Sequence, residues 1–347
     1  MGSTPVTRFL AYVMVALAVM GAAWILHSPD TAFAQWRAQI ADLVVFGRRV
    51  SIDSYVLTVI TMLVPLFGAL AAEYLMSGGR HSTLRQLRGA MTRTRRLDLV
   101  LWVLNFPPLL MAVLGTLLTF GLAPILNKAV RASIPANLHL FDRLSDSVGL
   151  VATICVFILL KSFIEYWTHR AFHTPFFWPL HRLHHSASEM SLLTSFRVHP
   201  TSSAVAPLVN TLPMLLWGAP TEFLICFMAY NTFHEIVVHT NHDCDWGWIG
   251  KNLLFAPISH KIHHSVAEQH RDKNFSTNLA IWDRLFGTFR YDPQVAQVGI
   301  NDSTQIYEHA SLPRVLLRDM SDFGSNVTTA LQRRRTQDPA YERGPTA

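Results

Sequence analysis

Charge is scarce in this 347-residue chain: Asp, Glu, Lys and Arg together make up 15%, against roughly 25% in a typical soluble domain. With 50% hydrophobic residues beside it, that shortage excludes intrinsic disorder and argues against an ordinary water-soluble globule. Cysteine is scarce too. Cys155, Cys226 and Cys244 build no disulfide framework, which excludes a stapled secreted mini-protein, and no thiolate cluster, which argues against iron–sulfur and thiolate-zinc centres. The net charge of +6 does not point to nucleic acid, because the basic residues flank apolar segments instead of forming one stripe; phospholipid headgroups are the expected anionic neighbour.

What the chain has in abundance is apolar runs. The mean hydropathy of +0.24 averages a very apolar first two-thirds with a polar tail after about Tyr291. Phe9 to Leu26 is 18 residues without a charge, Tyr55 to Met76 is 22 with only Glu73 near its end, and Leu99 to Leu126 is 28 without a charge. Each is long enough to span a bilayer. Val148 to Trp167 is a fourth candidate, with Lys161 and Glu165 confined to its last two turns, and Ala204 to Val238, broken at Gly218-Ala219-Pro220, reads as a hairpin. The first run also resembles a signal peptide, with Arg8 before it and Ala32-Phe33-Ala34 after it. A retained helix is preferred, because 18 residues exceeds a signal's usual apolar length.

The 77 to 98 loop holds Arg80, Arg85, Arg88, Arg93, Arg95 and Arg96 against one Asp, which predicts a cytoplasmic loop. If the next two segments each cross once, the chain is back in the cytoplasm at Trp167; the Asn105 to Pro108 break leaves a re-entrant pair as the alternative. The predicted fold is therefore all-α: a polytopic membrane bundle of about four spans plus a paired or re-entrant hairpin, with a cytoplasmic helical cap. Three regions are expected, a transmembrane part over 1–147, a catalytic unit over 148–290 and a polar tail over 291–347.

Histidine carries the chemical signal. Seventeen are present and thirteen fall between His169 and His270, where background usage gives about two or three. Glu165, His169 and His173 recur every four residues and so share one helical face. His181, His184 and His185 stand at i, i+3 and i+4, and His260, His263 and His264 repeat that pattern. Neutral imidazole suits Fe, Zn, Cu or Ni, and eight or nine histidines suit two ions better than one. His234-Glu-Ile-Val-Val-His239 has one residue too many for a zinc-protease helix. His239, ending the hairpin, is the better ligand candidate of that pair. His234, His242 and His270 are left between ligand support and ordinary interface, and His199 between orienting a ligand and capping a turn. His27, His81, His139 and His309 are expected at the surface.

In their order, these motifs resemble the fatty acid hydroxylase and sterol desaturase superfamily of integral-membrane di-metal oxygenases. The resemblance covers roughly Val148 to Tyr291. It rests on His169-Arg-Ala-Phe-His173, His181-Arg-Leu-His184-His185, Phe196-Arg197-Val-His199-Pro200, His239-Thr-Asn241 and Ser259-His260-Lys-Ile-His263-His264-Ser265, and it continues in Asp272-Lys273-Asn274-Phe275 and Ile281 to Phe289. Phe275-Ser276 departs from the Tyr-Gly usual in the family. The ending around Asn274 to Phe289 looks closest to alkylglycerol-monooxygenase-like and bacterial sterol-desaturase-like members.

The resemblance implies metal ligands at His169, His173, His181, His184, His185, His239, His260, His263 and His264, holding two irons (zinc is possible as purified), with O2 as co-substrate and a lipid entering from the bilayer. Asn274 is expected either to hydrogen-bond a metal-bound water or to cap a turn. Glu165 and Glu189 are expected to accept a ligand's second N–H, unless Glu165 merely pairs with Lys161. The Trp282 to Phe289 stretch reads as structural, ending in a Gly-Thr turn. With no dinucleotide-binding glycine motif and no fused haem domain found, a separate reductase or electron carrier is implied, and a bacterial inner membrane is the expected location. Three rival readings use the same histidines: a metal transporter or chaperone, a bis-histidine haem carrier, and a zinc-dependent membrane hydrolase.

Overall fold

A computed structural model describes residues 4–28, 42–45, 48–51, 53–79, 82–105, 139–300 and 309–336, together with a few isolated positions such as Tyr307. Helices dominate, and the described strands are a single antiparallel hairpin, β1 (Asp42–Val45) with β2 (Arg48–Ser51), in which Asp42 pairs with Ser51.

The N-terminal half of the bundle is α1 (Pro5–His27) and α2 (Asp53–Ser77). α1 starts where the sequence signals it, with the Thr4 side chain accepting from the Thr7 N–H and Pro5 in the first turn. Tyr12, Ala16, Val19 and Ala23 recur at helical spacing and pack on Leu66, Ala69, Ala72 and Met76 of α2. Small residues let the two backbones approach. At Gly68 a Cβ would lie 2.4 Å from Val19 Cγ2, so any larger residue there would force Val19 or the crossing to shift. The opposite faces expose Leu10, Met14, Leu17 and Phe67, as lipid-facing helices do. At the end of α2, buried Glu73 accepts from the N–H of Thr83 at 2.7 Å and from its hydroxyl at 3.0 Å, which fixes the start of α3 (Thr83–Arg88).

α4 (Arg93–Asn105) begins six residues before the apolar run expected from Leu99, and the rest of that run lies outside the described residues. α5 (Leu140–Val148) turns at Gly149 into α6 (Leu150–Phe172), which carries Lys161, Glu165 and His169. The expected hairpin is present as α8 (Pro200–Leu216) and α9 (Thr221–Val238), joined through Gly218 at φ 76°. α9 packs on α1 and α2, and α8 on α6. Two described helices, α1 and α6, are long and apolar enough to cross a membrane, and Leu63–Ser77 and Phe223–Val238 are shorter apolar segments. This is the architecture of a helical membrane protein.

Short elements build one end of the bundle: α7 (Arg182–His185), α10 (Gly247–Asn252), α11 (Pro257–His263) and α12 (Ile281–Leu285), with single 3-10 turns at Trp178–Leu180 and Leu192–Phe196. The polar tail holds more order than its composition suggests. Its helix α13 (Leu312–Thr336) lies against the Trp178–Leu180 turn.

Candidate metal centre

All nine histidines singled out above come together, in two groups. His169, His173, His181, His185 and His263 form one, and His184, His239, His260 and His264 the other; within each, one nitrogen per ring lies within 4.8 Å of all the others. In the first group Nε2 of His181 is 3.2 Å from Nε2 of His169 and of His185. In the second, Nε2 of His239 is 3.2 Å from that of His184 and 2.9 Å from that of His260, which is 3.1 Å from that of His264. Each i, i+3, i+4 triplet is divided. His181 and His185 share a helical face and serve the first group, while His184 serves the second; His260 and His264 serve the second, while His263 crosses to the first.

The local fold explains the convergence. α6, α9 and α11 end at the site, with His173, His239 and His264 as their C-cap residues. Helix C-termini carry partial negative charge, so three of them turned toward one place favour a cation.

Backbone carbonyls fix the ring tautomers. His169 Nδ1 donates to the Phe275 carbonyl at 2.8 Å, His263 Nδ1 to that of Lys273 at 2.8 Å, and His239 Nδ1 to that of Glu235 at 2.6 Å. A carbonyl only accepts, so in a neutral ring the lone pair is on Nε2 and faces the group. The Nε2 atoms of His173 and His263 are buried without a hydrogen-bond partner. Burial, followed by the neighbouring imidazoles, holds His173, His181, His184, His185, His260 and His264 well below the ordinary histidine range. Burial also brings His239 down to about 4. Neutral rings with crowded inward lone pairs are what a metal ion satisfies, and the donor set is five nitrogens beside four with no thiolate.

Asn274 does not face this cluster with a free amide. It sits at φ +58°, its Nδ2 donates to the carbonyls of Ser259 at 3.0 Å and Arg290 at 2.8 Å, and its Oδ1 accepts from the Arg290 N–H at 2.8 Å. Both amide N–H groups and one lone pair of Oδ1 are therefore engaged with backbone, which clamps α11 to the 288–290 segment. Glu165 accepts no imidazole N–H either. It pairs with Lys161 and accepts from Asn278 Nδ2 at 2.9 Å and Thr277 at 3.3 Å. Glu189 lies on another face, bonded to Thr92 and, at 2.7 Å, to Arg95.

Of the undecided histidines, His234 contacts the Tyr12 hydroxyl at 2.7 Å on the α1 side, and His242 and His270 join neither group. His199 caps: its Nδ1 accepts from the Thr201 N–H at 3.2 Å at the start of α8. His139 is buried, not at the surface as expected, because it caps α5 and its ring pairs with Asp142 at 3.1 Å. His309 is exposed, and His81 lies outside the described residues.

Three supporting side chains carried no separate expectation. Arg197, fully buried, pairs with Asp98 at 3.0 Å and donates to the carbonyls of Leu183 and Ser186, both at 3.3 Å. It thus holds the end of the four-residue helix that bears His184 and His185 and is capped by His181. Asp283 accepts the N–H groups of Phe275 at 2.8 Å and Ser276 at 2.9 Å, setting the carbonyl that receives His169; this agrees with a structural role for the Trp282 to Phe289 stretch. Arg182, inside the second cluster motif, reaches Asp319 at 2.6 Å and also Asp322 on α13. Arg197 stood inside its motif as a lone charge between Phe196 and Val198, a signal that could have marked it; nothing local marks Asp319, and Asp283, beside Arg284, reads as an ordinary surface pair.

Residues 154–288 match the family model described as fatty acid hydroxylase. The chain is 28% identical over 157 residues to ornithine lipid hydroxylase OlsE of Rhizobium tropici, covering 45% of this chain and 47% of that protein. It is 29% identical over 144 residues to alkylglycerol monooxygenase of Danio rerio, covering 41% and 32% respectively. A putative methylsterol monooxygenase of Dictyostelium discoideum is 23% identical over 171 residues, covering 44% and 60%. The chain thus spans about a third to three fifths of the length of these relatives. No solved structure gives a significant match.

Proposed function

Residues 154–288 belong to the fatty acid hydroxylase family, and from that premise we propose that the chain is a membrane-bound di-iron oxygenase that hydroxylates, or desaturates, a lipid with O2 and external electrons. The observation that carries this reading is the division of nine buried histidines into neighbouring groups of five and four. A single ion cannot use nine nitrogens, and the absence of thiolate favours iron, with zinc as the metal acquired in purification. Bound iron supplies the redox chemistry that an unactivated C–H bond demands, since such a bond offers acid–base or nucleophilic side chains nothing to act on.

The chain's own residues have defined tasks in this scheme. His169, His173, His181, His185 and His263 hold one ion, and His184, His239, His260 and His264 the other. The carbonyls of Phe275, Lys273 and Glu235 keep the Nε2 lone pairs inward. Phe275, whose ring centroid lies 5.1 Å from that of His173, shields the first group from water, which gives the departure from Tyr-Gly a packing role.

We read 148–290 as the catalytic unit, behind a transmembrane region over 1–147 and ahead of a tail over 291–347. The lipid reaches the site from the bilayer. The site faces the cytoplasm of a bacterial inner membrane, and a separate reductase or electron carrier docks there. The transporter and haem-carrier readings lose support for one reason: the histidines form two compact groups at one end of the bundle, whereas a transporter spreads its ligands along the spans and a bis-histidine haem needs pairs at opposed depths. Metal analysis of purified protein together with lipid profiling of cells with and without it tests the reading. Close to two metals per chain and one oxidised lipid class are expected, and one ion or none removes the binuclear centre.

A further inference from the structure

The lipid-facing side of α6 can be followed residue by residue into the histidine-bearing end of the bundle. Val151, Cys155, Leu159, Phe163 and Trp167 recur at every fourth position, and all but Phe163 are exposed. A bilayer core of about 30 Å takes about 20 helical residues, so a span entered at Leu150 is still in apolar surroundings at Phe163. At that level α12 lies on the stripe. Trp282 donates its indole N–H to Ser162 Oγ at 2.9 Å, its ring is 5.0 Å from that of Phe163, and the Phe286 ring is 5.1 Å from that of Trp167.

The outward face of α12 is apolar. Ile281 and Leu285 stand one helical turn apart, and Leu285 is 67% exposed. Leu253, exposed just after α10, adjoins them: its carbonyl accepts from the Ala280 N–H at 2.9 Å, and Arg284 Nε donates to the Lys251 carbonyl at 2.6 Å. Trp248 on α10 is 68% exposed and follows Gly247, where a Cβ would lie 3.8 Å from Pro5 at the start of α1. Two short helices thus present large apolar side chains where one long apolar helix begins and another ends. Around α12 the carboxylate of Asp283 is buried against the Phe275 and Ser276 N–H groups, while Arg284 and Arg290 are exposed. Beside α10, Asp245 is paired with Lys251 at 3.2 Å.

We propose that α10 and α12 form a foot seated in an anionic phospholipid leaflet: Leu253, Ile281 and Leu285 reach the acyl chains, the Trp167 and Trp248 rings lie at the headgroup boundary, and Arg284 meets lipid phosphate. A contiguous exposed apolar patch marks an interaction surface, and this one continues a face already turned to lipid. Indole rings and exposed arginines beside an apolar face are what a membrane interface selects. The foot also sets a height. About 10 Å of helix rise separates Ser162, which Trp282 holds, from His169 on the same helix, so seating α12 fixes how far the histidines stand above the acyl chains. The proposal is independent of the oxygenase reading, since it involves no metal.

The test uses the full-length protein in nanodiscs of equal phosphatidylcholine and phosphatidylglycerol, with the photoreactive residue p-benzoylphenylalanine in place of Leu285. Intact-mass spectrometry after illumination counts the lipid adducts. Their yield at Leu285 should approach that of the same probe at Leu159, within the span, and exceed that at exposed His309 by at least about tenfold. Phosphatidylglycerol should be over-represented about twofold or more among them, and Arg284→Gln should return it to its share in the disc. A Leu285 yield at the His309 level overturns the proposal, as does cross-linking to a second copy or to another segment of this chain, or equal capture of the two lipids by wild type. Should the Leu285 probe protein not fold, the same probe at Ile281 decides by the same outcomes.

Discussion

The imidazoles of His185 and His264 stack face to face, their centroids 4.3 Å apart and their planes 20° off parallel, yet their Nε2 atoms belong to different groups. The two groups are therefore neighbours separated by a ring's thickness, with aromatic contact where a single large cluster would have had nitrogens. Several outcomes are expected from this arrangement.

His184 is the one member of its triplet that serves the group of four. Losing it leaves three nitrogens for that ion, whereas losing His263 leaves four for the other. Metal occupancy by elemental analysis should fall in both alanine variants, with His184→Ala losing at least about tenfold in affinity for one ion. His309→Ala, exposed and remote, should match wild type.

His239→Ala distinguishes two candidates on α9. Because His234 is engaged with Tyr12, it cannot replace the missing ligand. The variant should retain roughly one metal per chain and lose oxidation of lipid. Full occupancy with normal product would mean that His242 or another residue ligates in its place.

Asn274→Ala removes three backbone hydrogen bonds at a left-handed position. A loss of about 2–4 kcal/mol of stability is expected from bonds of ordinary strength, read as an earlier midpoint in thermal or denaturant unfolding. A variant of unchanged stability but low turnover would restore the metal-water role.

Asp319→Ala breaks the contact between α13 and Arg182, one residue from His181. Breaking a largely buried ion pair costs about 3–5 kcal/mol, discounted here because Asp322 still reaches Arg182. The measurable result should be a lower melting temperature and easier removal of metal by a chelator. Asp319→Glu should recover part of both.

Reporter fusions after Trp167, near Asn241 and in the C-terminal region should all report the same side of the membrane, since groups anchored near each of those points meet at one site. A split result would contradict the fold.

How much of this could be read from the sequence differs by residue. The nine histidines were legible because imidazoles at four-residue spacing have few other uses. How they divide was not, since the split of each triplet depends on which way two very short helices face, and those are set by Arg197 and Asn274 from distant segments. For Glu165 and Asn274 the sequence left two roles open each and could not choose between them: a side chain's nearest acceptor or donor is a tertiary fact, and here Lys161 pairs with Glu165 while the Arg290 backbone engages Asn274. The tail looked merely polar because α13 buries only a narrow face. Asp319 is fully buried within it, and that becomes visible only once Arg182 is opposite.

With one ion proposed for each group, the divided triplets would make their loading interdependent. α7 and α11 each contribute to both groups, so neither helix can settle around one ion without positioning ligands for the second. On that reading the first ion bound would order both helices and the second would find its nitrogens already in place, which is positive cooperativity through pre-ordering. Protein with one metal should then be scarce at half saturation, and native mass spectrometry during titration should show chiefly empty and doubly loaded chains. In a cell, such a protein would switch between inert and complete as metal supply changes, with little of the singly loaded form accumulating between.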